Sequence, residues 1–142
     1  MACMKNFLIL FLIAPMIILG ITSCSDKGGG GGGGNGEANL TITLNPPANS
    51  TQPAAPQTDF PLTVSITSTM PPQGVTIEVK AAPDGKTNYF YNPTASSSTS
   101  ANNNFTITNT PVNTVCVVTV TVTSKSKATN TWSGSYRYSR KP

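Results

Sequence analysis

From Asn39 onward, apolar side chains fall at every second position, and threonine fills most of the places between them. Leu40, Ile42 and Leu44 alternate with Thr41 and Thr43; Phe60, Leu62, Val64 and Ile66 with Thr63, Ser65 and Thr67. Val75, Ile77, Val79 and Ala81 share one parity, Phe105 and Ile107 another short run, and Cys116, Val118, Val120 and Val122 a longer one. Trp132, Tyr136 and Tyr138 share a parity near the end of the chain. In an extended backbone this period puts one set of side chains on a buried face and the other in water. Threonine is β-branched and tolerates solvent, so it suits the wet positions of a strand. No stretch after the N-terminal segment has the 3.6-residue period of an amphipathic helix.

The breaks between these runs are turn-forming. Pro46-Pro47, Met70-Pro71-Pro72-Gln73-Gly74, Pro83-Asp84-Gly85, Asn92-Pro93 and Thr110-Pro111 punctuate them, and Lys125 to Asn130 reads as a polar hairpin loop. A further strand is expected over Thr87–Tyr91, where Tyr89, Phe90 and Tyr91 adjoin. The expectation is all-β: a single antiparallel seven-strand sandwich over residues 38–142. Its pattern resembles the immunoglobulin-like and fibronectin III-like sandwiches. The immunoglobulin cysteine pair is missing, and the single tryptophan, Trp132, belongs to the last strand instead of the third.

About 105 residues suffice for one core without a metal or disulfide. Cys116 is alone in that region, on the apolar parity of its strand, so it reads as a small buried hydrophobe and cannot form an intradomain disulfide. The chain carries a net charge of +4 and no histidine. A charge excess of that size is mild and does not argue for nucleic acid.

The first two dozen residues differ in kind. Lys5 precedes an apolar run from Phe7 to Thr22, about 16 residues, short of the roughly 20 that a spanning helix needs. A basic residue, an apolar stretch and a small-residue exit describe an export signal over residues 1–23. The exit, Ile21-Thr22-Ser23-Cys24, resembles the lipobox of bacterial lipoproteins. That resemblance implies cleavage before Cys24, a lipid on its thiol, and attachment to a membrane. Multiple acyl chains anchor stably, at about 0.8 kcal/mol per buried methylene. Ser25, where an inner-membrane retention aspartate would stand, implies the outer membrane of the cell envelope, periplasmic or surface-facing. The Ile-rich signal and Ser-Asp-Lys start resemble lipoproteins of the Bacteroidota.

Residues 24–37 then read as a lipidated cysteine and a tether. Gly28 to Gly34, Asn35 and Gly36 offer nothing to bury, and glycine loses most freedom on ordering. A dozen such residues span ~17–21 Å on average. The run matches GxGxxG trivially. No strand precedes it and no Gly-Lys-Ser/Thr closes it, so a phosphate loop is rejected.

The chemistry-bearing side chains of the sandwich are few. Its carboxylates are Glu37, Asp59, Glu78 and Asp84, each with a solvent or turn role, and no zinc or calcium pattern exists. No cofactor and no enzymatic reaction is expected. Lys125, Lys127, Arg137, Arg140 and Lys141 give the last hairpin a basic edge that discourages strand aggregation. The aromatics Tyr89, Tyr91 and Trp132 are the candidate ligand or partner contacts. The expected role is therefore a lipid-anchored, non-enzymatic module for protein interaction, adhesion or an envelope accessory task. The alternative is a carbohydrate-binding module that uses the exposed aromatics, so the unknown partner is a protein or a glycan.

Overall fold

The computed structural model describes residues 36–142. The expected export signal, the expected lipobox and lipidation residues Ile21, Thr22, Ser23 and Cys24, and nearly all of the expected glycine tether lie outside the described residues. The described residues form seven strands and no helix: β1 (Ile42–Asn45), β2 (Phe60–Ile66), β3 (Val75–Pro83), β4 (Ser96–Ser98), β5 (Asn102–Ile107), β6 (Val115–Ser124) and β7 (Thr131–Ser139). Two antiparallel sheets result, in the orders β1-β2-β5 and β4-β3-β6-β7. This is an immunoglobulin-like sandwich in which the fourth strand lies beside the third, where variable domains also extend that sheet.

Alternation accounts for the core. Ile42 and Leu44, Phe60, Leu62, Val64, Ile66 and Ile107 are buried from the first sheet; Val75, Ile77, Val79, Ala81, Cys116, Val118, Val120 and Val122 from the second. On the second face, β3 and β6 contribute mainly β-branched side chains, and larger Leu, Ile and Phe groups of the first face fill the space opposite. Where large tyrosines enter, small residues share their row: Ala81, Val118 and Tyr136 are in register, as are Pro83, Cys116 and Tyr138. Cys116 is fully buried because that row has room for a thiol and little more. Burial pushes the thiol up to about 11, so the neutral form persists at physiological pH.

The row that contains Gly134 shows the same logic. Gly134 pairs with Val120, and the Trp132 indole lies over it: a Cβ there would stand 2.4 Å from the ring. Trp132 therefore packs on the core across a position that must lack a side chain.

One expected strand is not where the sequence placed it. Thr87–Tyr91 is a connection with a single bridge, Tyr91 to Ala81, and the strand between β3 and β5 is Ser96–Ser98. Backbone groups of Phe90 and Tyr91 both turn to Ala81, which uses up the pairing after one residue. The Ser-Ser-Ser strand is exposed and has no apolar alternation to announce it.

The strand directions define two poles. The N-terminal pole carries the entry to β1, the β2–β3 and β4–β5 connections and the β6–β7 loop. The far pole carries the β1–β2, β3–β4 and β5–β6 connections and the C-terminus. At the N-terminal pole a buried side chain of the hairpin loop grips the incoming chain. Asn130 Oδ1 accepts from the Leu40 N–H at 3.0 Å, and Asn130 Nδ2 donates to the Ala38 carbonyl at 2.9 Å and to the Glu37 carboxylate. Asn130→Ala leaves the Leu40 N–H without a partner, and the expected loss is about 1–3 kcal/mol of stability in urea denaturation. An unchanged midpoint would show that water replaces the clamp.

Candidate functional site

After β1 the chain changes sheets. Residues 46–57 cross to the second sheet and run parallel to the outer edge of β7, with bridges Thr51–Arg137 and Ala55–Arg140. The N–H groups of Asn49, Gln52 and Ala55 donate to the carbonyls of Ser135, Arg137 and Ser139 at 2.7, 2.8 and 3.1 Å. In return, Arg137 and Lys141 donate to Ser50 and Ala55 at 2.9 and 2.8 Å. Pro53 falls between these donors, and Pro47 and Pro56 flank them, so no ladder bond is lost to a missing N–H. The segment thus covers an edge that would otherwise be open to strand addition.

Beneath this segment is a cavity of about 320 Å3. Its walls are largely carbon: Pro46, Pro53 and Ala55 from the segment, and Phe60 and Pro61 from β2. Tyr136 and Tyr138 of β7 line it, and the amides of Gln52 and Gln57 also border it; no charged side chain does. The aromatic rings support one another, with Phe60 and Tyr138 centroids 4.5 Å apart and Tyr136 and Tyr138 6.1 Å apart.

The two tyrosine hydroxyls differ. Tyr138 shares a 2.7 Å hydrogen bond with the buried hydroxyl of Thr110, whose carbonyl accepts from Arg140 Nη1 at 3.2 Å. The Tyr136 hydroxyl is buried and has no partner. A polar group so placed costs about 1–3 kcal/mol. Burial raises both phenols, Tyr138 to about 12 and Tyr136 further, so both stay protonated across the physiological range.

The sequence-expected aromatics do not converge. Tyr89 projects, 49% exposed, with Lys80 Nζ 5.6 Å from its ring centroid. Lys80 is also paired with Glu78 at 2.7 Å. Tyr91 is half-buried beside Ala81. Trp132 is on the opposite edge of the sheet, facing inward and level with Val122 and Ile77. Four residues of strand and three strand spacings separate it from Tyr91, roughly 13 Å along and roughly 14 Å across. Only Tyr89 of the three stands free enough to stack on a ligand.

Other exposed large apolar side chains are Val112 and Val115, 41% and 50% exposed. Val112 precedes β6 and Val115 begins it, and both belong to the far pole, as do Tyr89 and the cavity. Asp84 sits there too, in a turn where Gly85 has φ 73° and Lys86 N–H bonds the Pro83 carbonyl. Arg137 Nε pairs with its carboxylate at 2.9 Å and holds it below the usual carboxylate range. A second hollow, at the N-terminal pole, is lined by Gly36, Glu37, Pro72, Ser126 and Lys127, where the chain enters the sandwich. Among the described residues no three His, Cys, Asp or Glu side chains gather as a metal site would require.

Sequence reading found the tyrosine parity but not the cavity. Gln52, Pro53, Ala55 and Gln57 belong to a run without periodicity, and nothing local says that it returns to β7. No protein-family model matches the chain, and no curated protein or solved structure is significantly similar to it.

The two tyrosines predict opposite responses. Tyr136→Phe removes an unpartnered hydroxyl and should leave the unfolding midpoint unchanged or raised. Tyr138→Phe strips the Thr110 hydroxyl of its partner and should lower stability by about 1–2 kcal/mol. Equal losses for both would mean that the Tyr136 hydroxyl has a partner in solution.

Proposed function

We propose that this chain is a cell-envelope lipoprotein, lipid-anchored through Cys24 at the outer membrane, and that its sandwich is a non-enzymatic module that engages a partner with its far pole. The observation that supports this most is the division of the sandwich into two unlike ends. The incoming chain is gripped at one end by Asn130. Tyr89, Val112, Val115 and the cavity belong to the other. A tethered domain contacts partners with the end opposite its attachment, and that end is the one with apolar side chains in water.

The carboxylates support a non-enzymatic role by how they are used. Glu78 is paired with Lys80, Asp84 with Arg137, and Glu37 with Asn130 at the opposite pole, while Asp59 is exposed ahead of β2. None is held beside a second acid or an activated nucleophile. The exposed Tyr89 ring also suits stacking on a sugar, which keeps a carbohydrate partner as the second reading. A glycan array separates the two, since only the second expects binding that Tyr89→Ala removes.

Cys24→Ala should abolish incorporation of labelled fatty acid and leave unprocessed or released protein. Wild-type protein recovered from the medium with a free Cys24 thiol would contradict the anchoring.

A further inference from the structure

We propose that the cavity walled by the 46–57 segment, β2 and the β7 tyrosines binds a neutral, compact, largely apolar molecule bearing one hydrogen-bonding oxygen, with the Tyr136 hydroxyl as its polar partner. This rests on the reading of the far pole as the binding end and on nothing about the lipid. Three observations set the ligand class. The cavity, about 320 Å3, lies at the small end of ligand pockets, so a ring-sized molecule fits. No charged side chain lines it, so an ion would be desolvated without compensation. Among its lining residues, the one buried side-chain polar atom without a partner is the Tyr136 hydroxyl, on a residue only 3% exposed.

Two of the other polar groups are engaged, and the Gln57 amide belongs to an exposed residue. The Tyr138 hydroxyl is shared with Thr110, and Gln52 Nε2 donates to Ser50 Oγ at 2.8 Å. A polyol would therefore leave most of its hydroxyls unmatched, whereas a single carbonyl or hydroxyl finds one partner. The Tyr136 hydroxyl is shielded from solvent, so a ligand reaches it by easing the 50–57 segment away from the β7 rings. The backbone bonds of Gln52 and Ala55 to β7 report that movement.

The test is an NMR titration of the full chain in detergent, with backbone amides and tyrosine rings labelled. The probes are cyclohexanone, neutral with one acceptor oxygen, and cyclohexanecarboxylate and glucose as comparators. Cyclohexanone should give saturable shifts at the Tyr136 and Tyr138 rings and at the Gln52 and Ala55 amides, in the millimolar range. Cyclohexanecarboxylate and glucose should give none there. Tyr136→Phe, which removes no protein contact of that hydroxyl, should weaken cyclohexanone binding about fivefold. Ala55→Trp, which fills the cavity, should abolish it. Binding unchanged in Tyr136→Phe, equal binding of the carboxylate or glucose, or no shift at either ring would overturn the proposal. Shifts confined to Tyr89, Val112 and Val115 would also overturn it, while leaving the far pole as the binding end.

Discussion

The parallel pairing of residues 49–55 with β7 is the interaction on which the rest of this sandwich depends. The first strand begins in one sheet and its continuation ends in the other, so a single stretch of chain ties the two layers together. It covers the outer edge of the four-stranded sheet, which would otherwise present a row of free backbone groups. Together with Phe60 and Pro61 of β2 and the Tyr136 and Tyr138 rings, it walls the cavity. Proline forbids a continuous ladder, and the N–H groups of Asn49, Gln52 and Ala55 fall where β7 offers carbonyls.

The rest of the sandwich follows from simpler rules. Period-two burial selects the inner faces, and small side chains beside large ones fill the rows between them. Gly134 under the Trp132 indole and Cys116 beside Tyr138 are two forms of that solution. The polar contacts that matter are likewise few and buried: Asn130 at the entry of the chain, and Thr110 with Tyr138 at the far pole. Each satisfies groups that water cannot reach, whereas the Lys80–Glu78 and Arg137–Asp84 pairs are exposed and contribute little to stability.

Most of the fold was legible in the sequence because alternation is a direct image of burial. Every inward residue expected of β2, β3 and β6 is buried, and the Lys125–Asn130 loop joins β6 to β7 as expected. The aromatic cluster Tyr89–Tyr91 misled, because aromatic content suggests a strand while the pairing needed to sustain one is absent. β4 was invisible for the converse reason: its serines pair through backbone alone. The cavity was illegible because it depends on a long-range return of an aperiodic segment. Trp132 shows the limit of residue type as a guide: its indole covers a glycine two positions on and is not offered to solvent as a ligand platform.

The division into a gripped pole and an apolar pole depends on the 46–57 segment staying seated, so its backbone bonds give the most direct test. Native-state hydrogen exchange of the Gln52, Ala55, Arg137 and Lys141 amides reads them individually. The account predicts that all four are protected well above loop amides such as Thr58 and Asn88, and that they exchange together as one unit. Exchange of Gln52 and Ala55 at loop rates, with β6 still protected, would contradict it: the segment would be detached, and the cavity would lose its wall.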